Sequence, residues 1–231
     1  MMRSIVAATV LILTPFAAFA DSGTTTNAVA ENAPQAWQPE NGDVIKFDVL
    51  RKGKPFGSHE VRFTTSPDGD LEAVTEVSLR AGLGPITVFK YELNSSERWS
   101  DGQLVSVVGQ TNDDGKKSSV TATREGDRLI VDGTDYQGPA PLDIIPSSHW
   151  NIREAFSTSI LSTESGELLK VDVTEIGPDT VTVGGQEIPA THYRMKSKLN
   201  VDLWYDDQNR WVKLSFEARG QLIEYQLTRL Y

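Results

Sequence analysis

The chain has 231 residues, no cysteine, and 32 Asp+Glu against 22 Lys+Arg, for a net charge of −10. A surplus of carboxylates disfavours nucleic-acid binding, which draws its affinity from Lys and Arg. The missing cysteines exclude thiol catalysis, redox exchange and thiolate metal sites. With 39% hydrophobic and 23% charged residues, the composition is that of a folded chain with one sizeable core.

Arg3 precedes an apolar run from Ile5 to Leu13, which leads through Pro15 to Ala18-Phe19-Ala20. This pattern reads as a signal peptide over 1–20, cleaved near Ala20, and the run is too short to span a bilayer. A periplasmic or secreted location is therefore expected, with no transmembrane segment in the mature chain. Residues 21–42 are Thr, Ala, Asn, Glu and Pro with Trp37 almost the only large apolar side chain, which predicts a flexible leader. Residues 43–231 form the expected single domain.

From Asp43 the chain becomes short runs of Val, Ile, Thr, Phe and Tyr punctuated by Gly, Asp, Pro and Asn, the pattern of strands joined by turns. Ile45, Phe47 and Val49 share one face opposite Lys46 and Asp48, and His59, Val61 and Phe63 oppose Glu60 and Arg62. Turn chemistry falls at Lys52-Gly53, Pro67-Asp68-Gly69, Asp101-Gly102, Asp113-Asp114-Gly115, Glu125-Gly126 and Gly184-Gly185. Near the end, Val212, Leu214, Phe216 and Ala218 oppose Trp211, Lys213 and Ser215, and a hairpin at Arg219-Gly220 leads to Ile223, Tyr225 and Leu227.

One stretch breaks the rhythm. Gly138-Pro139-Ala140-Pro141 opens an irregular loop that ends at Pro146, after which Asn151 and Glu154 form a capping box. Ile152, Ala155, Phe156 and Ile160 make an apolar stripe, so one short helix is predicted near 151–161. Strand patterning resumes near Leu168.

The expected fold is mainly β: an antiparallel curved sheet of about ten or more strands, rolled into a barrel or half-barrel, with the helix covering an opening. A two-sheet sandwich satisfies the same pattern.

Of the three histidines, His59 shares the apolar parity of Val61 and Phe63, which favours a neutral core or cavity-lining role; His192 lies on the face of Arg194 and Lys196, a solvated strand face. No His-x-x-x-His spacing occurs, and neither a metal nor a cofactor is expected. Ser147-Ser148-His149-Trp150-Asn151 gathers hydroxyls, an imidazole and an indole at a loop-to-helix junction, where ligand contact and local structural roles compete. No Gly-x-Ser-x-Gly elbow supports a serine nucleophile. Asp113-Asp114 and Asp206-Asp207 sit in turns, where a backbone role suffices, and Gly82-Leu83-Gly84-Pro85 lacks the Lys-Ser/Thr of a phosphate loop and reads as a turn.

Leu203-Trp204-Tyr205-Asp206, Trp211 to Ala218, Gly220 with Ile223 to Leu227, the Gly53 to Gly57 spacing, and Ser148 to Asn151 followed by Ser162 to Gly166 resemble the motifs of an exported bacterial family known only as a domain of unknown function. The resemblance covers about residue 43 to the end. It implies an exported β-rich fold, distantly similar to the open barrels of periplasmic lipoprotein carriers, and it transfers no catalytic residue.

These features converge on an exported, non-catalytic cell-envelope protein that binds a hydrophobic small molecule or lipid in a barrel cavity. Phe47, His59, Phe63, Tyr91, His149, Trp150 and Phe216 are the expected ligand-binding residues. An envelope-protein interaction module with a filled core is the alternative, and a hydrolase centred on His149 comes third.

Overall fold

The structure is a computed structural model that describes residues 34–83 and 86–230. The expected signal peptide, residues 21–33 of the expected leader, Gly84, Pro85 and Tyr231 lie outside the described residues.

Eight strands form a meander: β1 Val44–Arg51, β2 Lys54–Thr65, β3 Leu71–Leu83, β4 Ile86–Ser100, β5 Gln103–Asp113, β6 Lys116–Glu125, β7 Arg128–Gly133 and β8 Gln137–Ala140. Three short strands, β9 Ile145–Pro146, β10 Ser159–Leu161 and β11 Leu168–Lys170, build a separate small sheet. The chain then returns to the large sheet with β12 Asp172–Val183, β13 Gln186–Lys196, β14 Val201–Asp206, β15 Trp211–Ala218 and β16 Gln221–Leu230.

The large sheet has 13 antiparallel strands in the order β12-β13-β14-β15-β16-β1-β2-β3-β4-β5-β6-β7-β8. All neighbours but one are joined by sequence; pairing of β1 with β16 joins the two meanders. β8 and β12 remain as the two edges, so the sheet curls into an open barrel without closing.

The hairpins follow from their turns. Lys52 and Gly53 have φ of 50° and 69°, and Arg219 and Gly220 have 52° and 68°. Two successive positive φ values make the type I′ turn, whose twist matches that of the strands it joins.

Alternation holds along most strands: Ile45, Phe47, Val49, Val61 and Phe63 are all buried. It fails at β15, where Trp204 pairs with Lys213 but Tyr205 pairs with Trp211, leaving Val212 as the extra residue of a β-bulge. The bulge shifts parity by one, so Trp211 turns inward from the outer face that simple alternation assigns it, and its ring lies 4.3 Å from that of Phe47.

The predicted helix shrinks to a single 3-10 turn over Ile152–Phe156. Ile160 belongs instead to β10, where it pairs with Ile145 on one side and Leu169 on the other. Half of the capping box forms: Asn151 Oδ1 accepts from the Arg153 amide at 3.1 Å, but Glu154 reaches past Asn151 to the amide of His149 at 3.0 Å.

Between Ala140 and Asp172 the chain lies inside the curved sheet as a plug. Trp150 packs edge-on against Phe63 of β2 and Trp99 of β4, with ring centroids 5.3 and 5.6 Å apart, and Phe156 meets Tyr193 of β13 at 5.7 Å. Two strand glycines let the plug backbone come close. A Cβ on Gly109 would overlap the carbonyl oxygen of Thr163, and one on Gly133 that of Ser165.

Residues 34–42, the end of the expected leader, also meet the domain. The Trp37 ring stands edge-on to Phe63 at 5.3 Å, and Asn209 Nδ2 donates to the Gln35 carbonyl at 3.0 Å. A single indole finds an apolar docking place that local composition cannot reveal.

Candidate functional site

The plug fills only part of the space within the barrel. Beside it a cavity of about 470 Å³ remains, open at the end where the β1–β2 and β15–β16 hairpins turn. The sheet supplies mostly apolar wall, including Phe56, Val77, Leu79, Leu93, Leu214 and Ile223; the plug supplies Ser147, His149, Thr163 and Glu164.

Of the residues expected to line such a cavity, His59, Tyr91, His149 and Phe216 do so. Phe47, Phe63 and Trp150 sit behind it, packed into the aromatic core around Trp211, Trp37 and Trp99. The distinction is one of layers: a strand's inward parity states which face a side chain takes, whereas the plug decides whether that face meets protein or empty space.

His149 is held from several sides. Its ring Nδ1 lies 3.1 Å from Glu154 Oε1, its amide donates to Glu154 Oε2, and its carbonyl accepts from the Tyr205 hydroxyl at 2.8 Å. Its φ of 67° is left-handed, an uncommon conformation for a residue other than glycine, which these bonds impose. The fully buried Glu154 engages Nδ1, so the ring's other nitrogen is the one available on the cavity side.

His59 differs. It is 4% exposed, neither ring nitrogen has a hydrogen-bond partner among the described residues, and Trp211 and Tyr225 stand 5.1 and 5.5 Å from its ring. Burial pushes its pKa down to about 3, with the nearby His149 adding to the effect, so this imidazole is neutral. Tyr91 donates to Glu164 Oε1 at 2.7 Å; burial raises its pKa well above the usual phenol value, and Glu164 raises it further.

The remaining hydroxyls and carboxylates engage one another. Ser147 Oγ lies 3.4 Å from Thr163 Oγ1 and accepts from the Thr163 amide at 3.1 Å. Asp206 caps its own turn and pairs with Arg210 at 2.6 Å, as a turn role predicts. His192, on the outer face, is less solvated than its strand position suggests: it stacks on Trp204 at 4.2 Å and its Nε2 lies 2.8 Å from Asp202. Among the described residues, no group of three or more His, Asp or Glu converges as a metal site.

Two features escaped the sequence. Glu97 lies fully buried in β4, although it continues the inward parity of Leu93, Ser95 and Trp99; that parity was the available signal. Arg51 and Arg219 both line the cavity, and their hairpin positions gave no sign of it.

An open antiparallel barrel with an internal plug and a largely apolar cavity defines the class of protein. A family model described as Domain of unknown function (DUF6134) matches residues 47–228, and the chain belongs to that family. Among solved structures, a beta-barrel-like protein of the domain of unknown function DUF1849 from Brucella abortus superimposes with a TM-score of 0.55 at 9% identity, covering 83% of this chain and 99% of its own. That likeness is one of fold alone. LprF from Mycobacterium bovis gives a TM-score of 0.32 at 13% identity over 82% of this chain and 85% of its own, too low to carry an argument. No curated protein matches the sequence.

Among the described residues no helix is long and apolar enough to cross a membrane.

Proposed function

We propose that this is an exported, non-catalytic cell-envelope protein that binds a hydrophobic or lipid-like ligand inside its open barrel. The observation that carries the proposal is the cavity of about 470 Å³ left between sheet and plug. It falls within the roughly 300–1,000 Å³ of small-molecule sites, and its mainly apolar wall with a few polar groups from one side is the usual composition of such sites. A signal-peptide pattern at the N-terminus supports the envelope location.

A hydrolytic role for His149 gains less support. His149 and Glu154 form a base with its orienting carboxylate, but Ser147 pairs with Thr163 and not with the imidazole.

The test is to analyse the purified protein by native mass spectrometry and to titrate it with the apolar fluorophore N-phenyl-1-naphthylamine. Co-purified hydrophobe, or probe fluorescence that rises on binding and is lost in Val77→Trp, is expected. A wild-type protein that carries nothing and leaves the probe dark overturns the proposal. Circular dichroism of the variant separates a filled cavity from a lost fold.

A further inference from the structure

Arg51 ends β1 and Arg219 opens the β15–β16 turn; β16 lies between β1 and β15, so the two arginines stand on neighbouring hairpin tips at the open end of the cavity. Both line that cavity. The Arg51 guanidinium lies 5.1 Å from the centre of the Phe56 ring and that of Arg219 lies 5.8 Å from the centre of Phe89. The two phenyl rings stack on each other at 5.8 Å and 22°.

In a chain with 32 acidic residues, neither guanidinium has an ion pair or a hydrogen bond among the described residues. Asp113 shares the rim without pairing to either, and Glu164 is engaged by Tyr91. A guanidinium drawn to an aromatic ring by cation–π attraction keeps its N–H fork, the geometry that receives a carboxylate or phosphate. Two like charges held at one rim repel each other, and an anion between them relieves that repulsion. Below them the wall turns apolar, through Phe56 and Phe89 to Leu79, Leu93 and Phe216.

We infer that the cavity takes a single-chain amphiphile with an anionic oxygen headgroup, held at the rim by Arg51 and Arg219 while its apolar chain enters beside Phe56 and Phe89. The inference rests on the cavity being a ligand site, and the experiment separates the two.

Dodecanoate, dodecyl phosphate and 1-dodecanol share one chain and differ in the headgroup. Each is titrated calorimetrically, below its micelle concentration, into the wild-type protein and the Arg51→Gln/Arg219→Gln double variant. At least one anion is expected to bind wild type about tenfold or more tighter than the alcohol, a preference that shrinks with added salt and disappears in the double variant. The alcohol is expected to bind both proteins alike, which shows that the variant retains its cavity. The two anionic arms distinguish a carboxylate from a phosphate headgroup. Equal binding of alcohol and anions to wild type, or a preference unchanged by the double substitution, overturns the inference and leaves the apolar site standing. Failure of all three ligands to bind wild type overturns both.

Discussion

The indole of Trp150 donates to Oε2 of Glu97 across 3.2 Å, tying the plug to β4 through a carboxyl group that is fully buried. Trp99 donates to the same oxygen at 3.0 Å, and the buried Ser148 hydroxyl also faces this carboxyl group. Burial pushes the Glu97 carboxyl up to about 7 against hydrogen bonding from Ser148 and the two indoles, and the nearby Glu154 adds to the rise.

Because the folded pKa of Glu97 lies above its unfolded value of 4.5, its contribution is full below pH 4.5 and is lost as pH rises through about 7. Glu97→Gln keeps an acceptor for the indoles and removes the titration. The variant should therefore gain stability over wild type as pH rises from 4 to 8, by a few kcal/mol at most, as read from urea midpoints. A difference between the two proteins that does not change with pH would show that Glu97 titrates normally.

His59 acts at the opposite end of the pH range. Its folded pKa of about 3 lies below the unfolded 6.5, so the stability linked to its neutral form is present above 6.5 and is lost as pH falls toward 3. His59→Leu should flatten that acid loss, and thermal melts of both proteins between pH 7 and pH 4 measure it. The ring nitrogens have no partner to lose, so the substitution should cost little at pH 7.

Gly109 and Gly133 set how near the plug can approach. Gly109→Ala forces a methyl group onto the Thr163 carbonyl and Gly133→Ala onto that of Ser165. Each should cost on the order of 1–3 kcal/mol and make the plug easier to cleave by limited proteolysis. Val108→Thr, at an exposed neighbouring position, should change stability by less than about 0.5 kcal/mol.

Trp211 joins both sides of the barrel interior, touching Phe47, His59, His149 and Tyr225. Trp211→Ala should cost about 3–5 kcal/mol in denaturant unfolding, in line with deletion of a large buried aromatic. A surface-like cost of under about 0.5 kcal/mol would mean that β15 runs without its bulge.

Much of the barrel was legible from local patterns. Alternation at Ile45 to Val49 and His59 to Phe63 identified inward faces, and the Lys52-Gly53 and Arg219-Gly220 dipeptides marked hairpins whose φ values are those of type I′ turns. The bulge at Val212 was hidden, because an extra residue leaves no mark when both Trp211 and Val212 are apolar. The helix expected near 151–161 is shortened to a 3-10 turn for a similar reason: the stripe ending at Ile160 suits a helix, but pairing with Ile145 and Leu169 satisfies the backbone of Ile160 in a strand. Parity and loop position placed His59, Tyr91, His149 and Phe216 toward the interior, and the structure puts them in the cavity wall. Phe47, Phe63 and Trp150 were legible only as buried, since whether a buried ring faces a void depends on what packs against it.

The order of amino acids determined the strands, their turns and the side of the sheet each residue faces, since these depend on neighbours one or two positions away and on the two-residue repeat of an extended chain. Tertiary structure decided where the plug enters, which inward side chains it leaves uncovered, and that Arg51 and Arg219, far apart in the chain, share one rim. Those outcomes depend on how a curled sheet and an inserted segment divide a fixed interior volume, a property of the packed whole that no local stretch of chain carries.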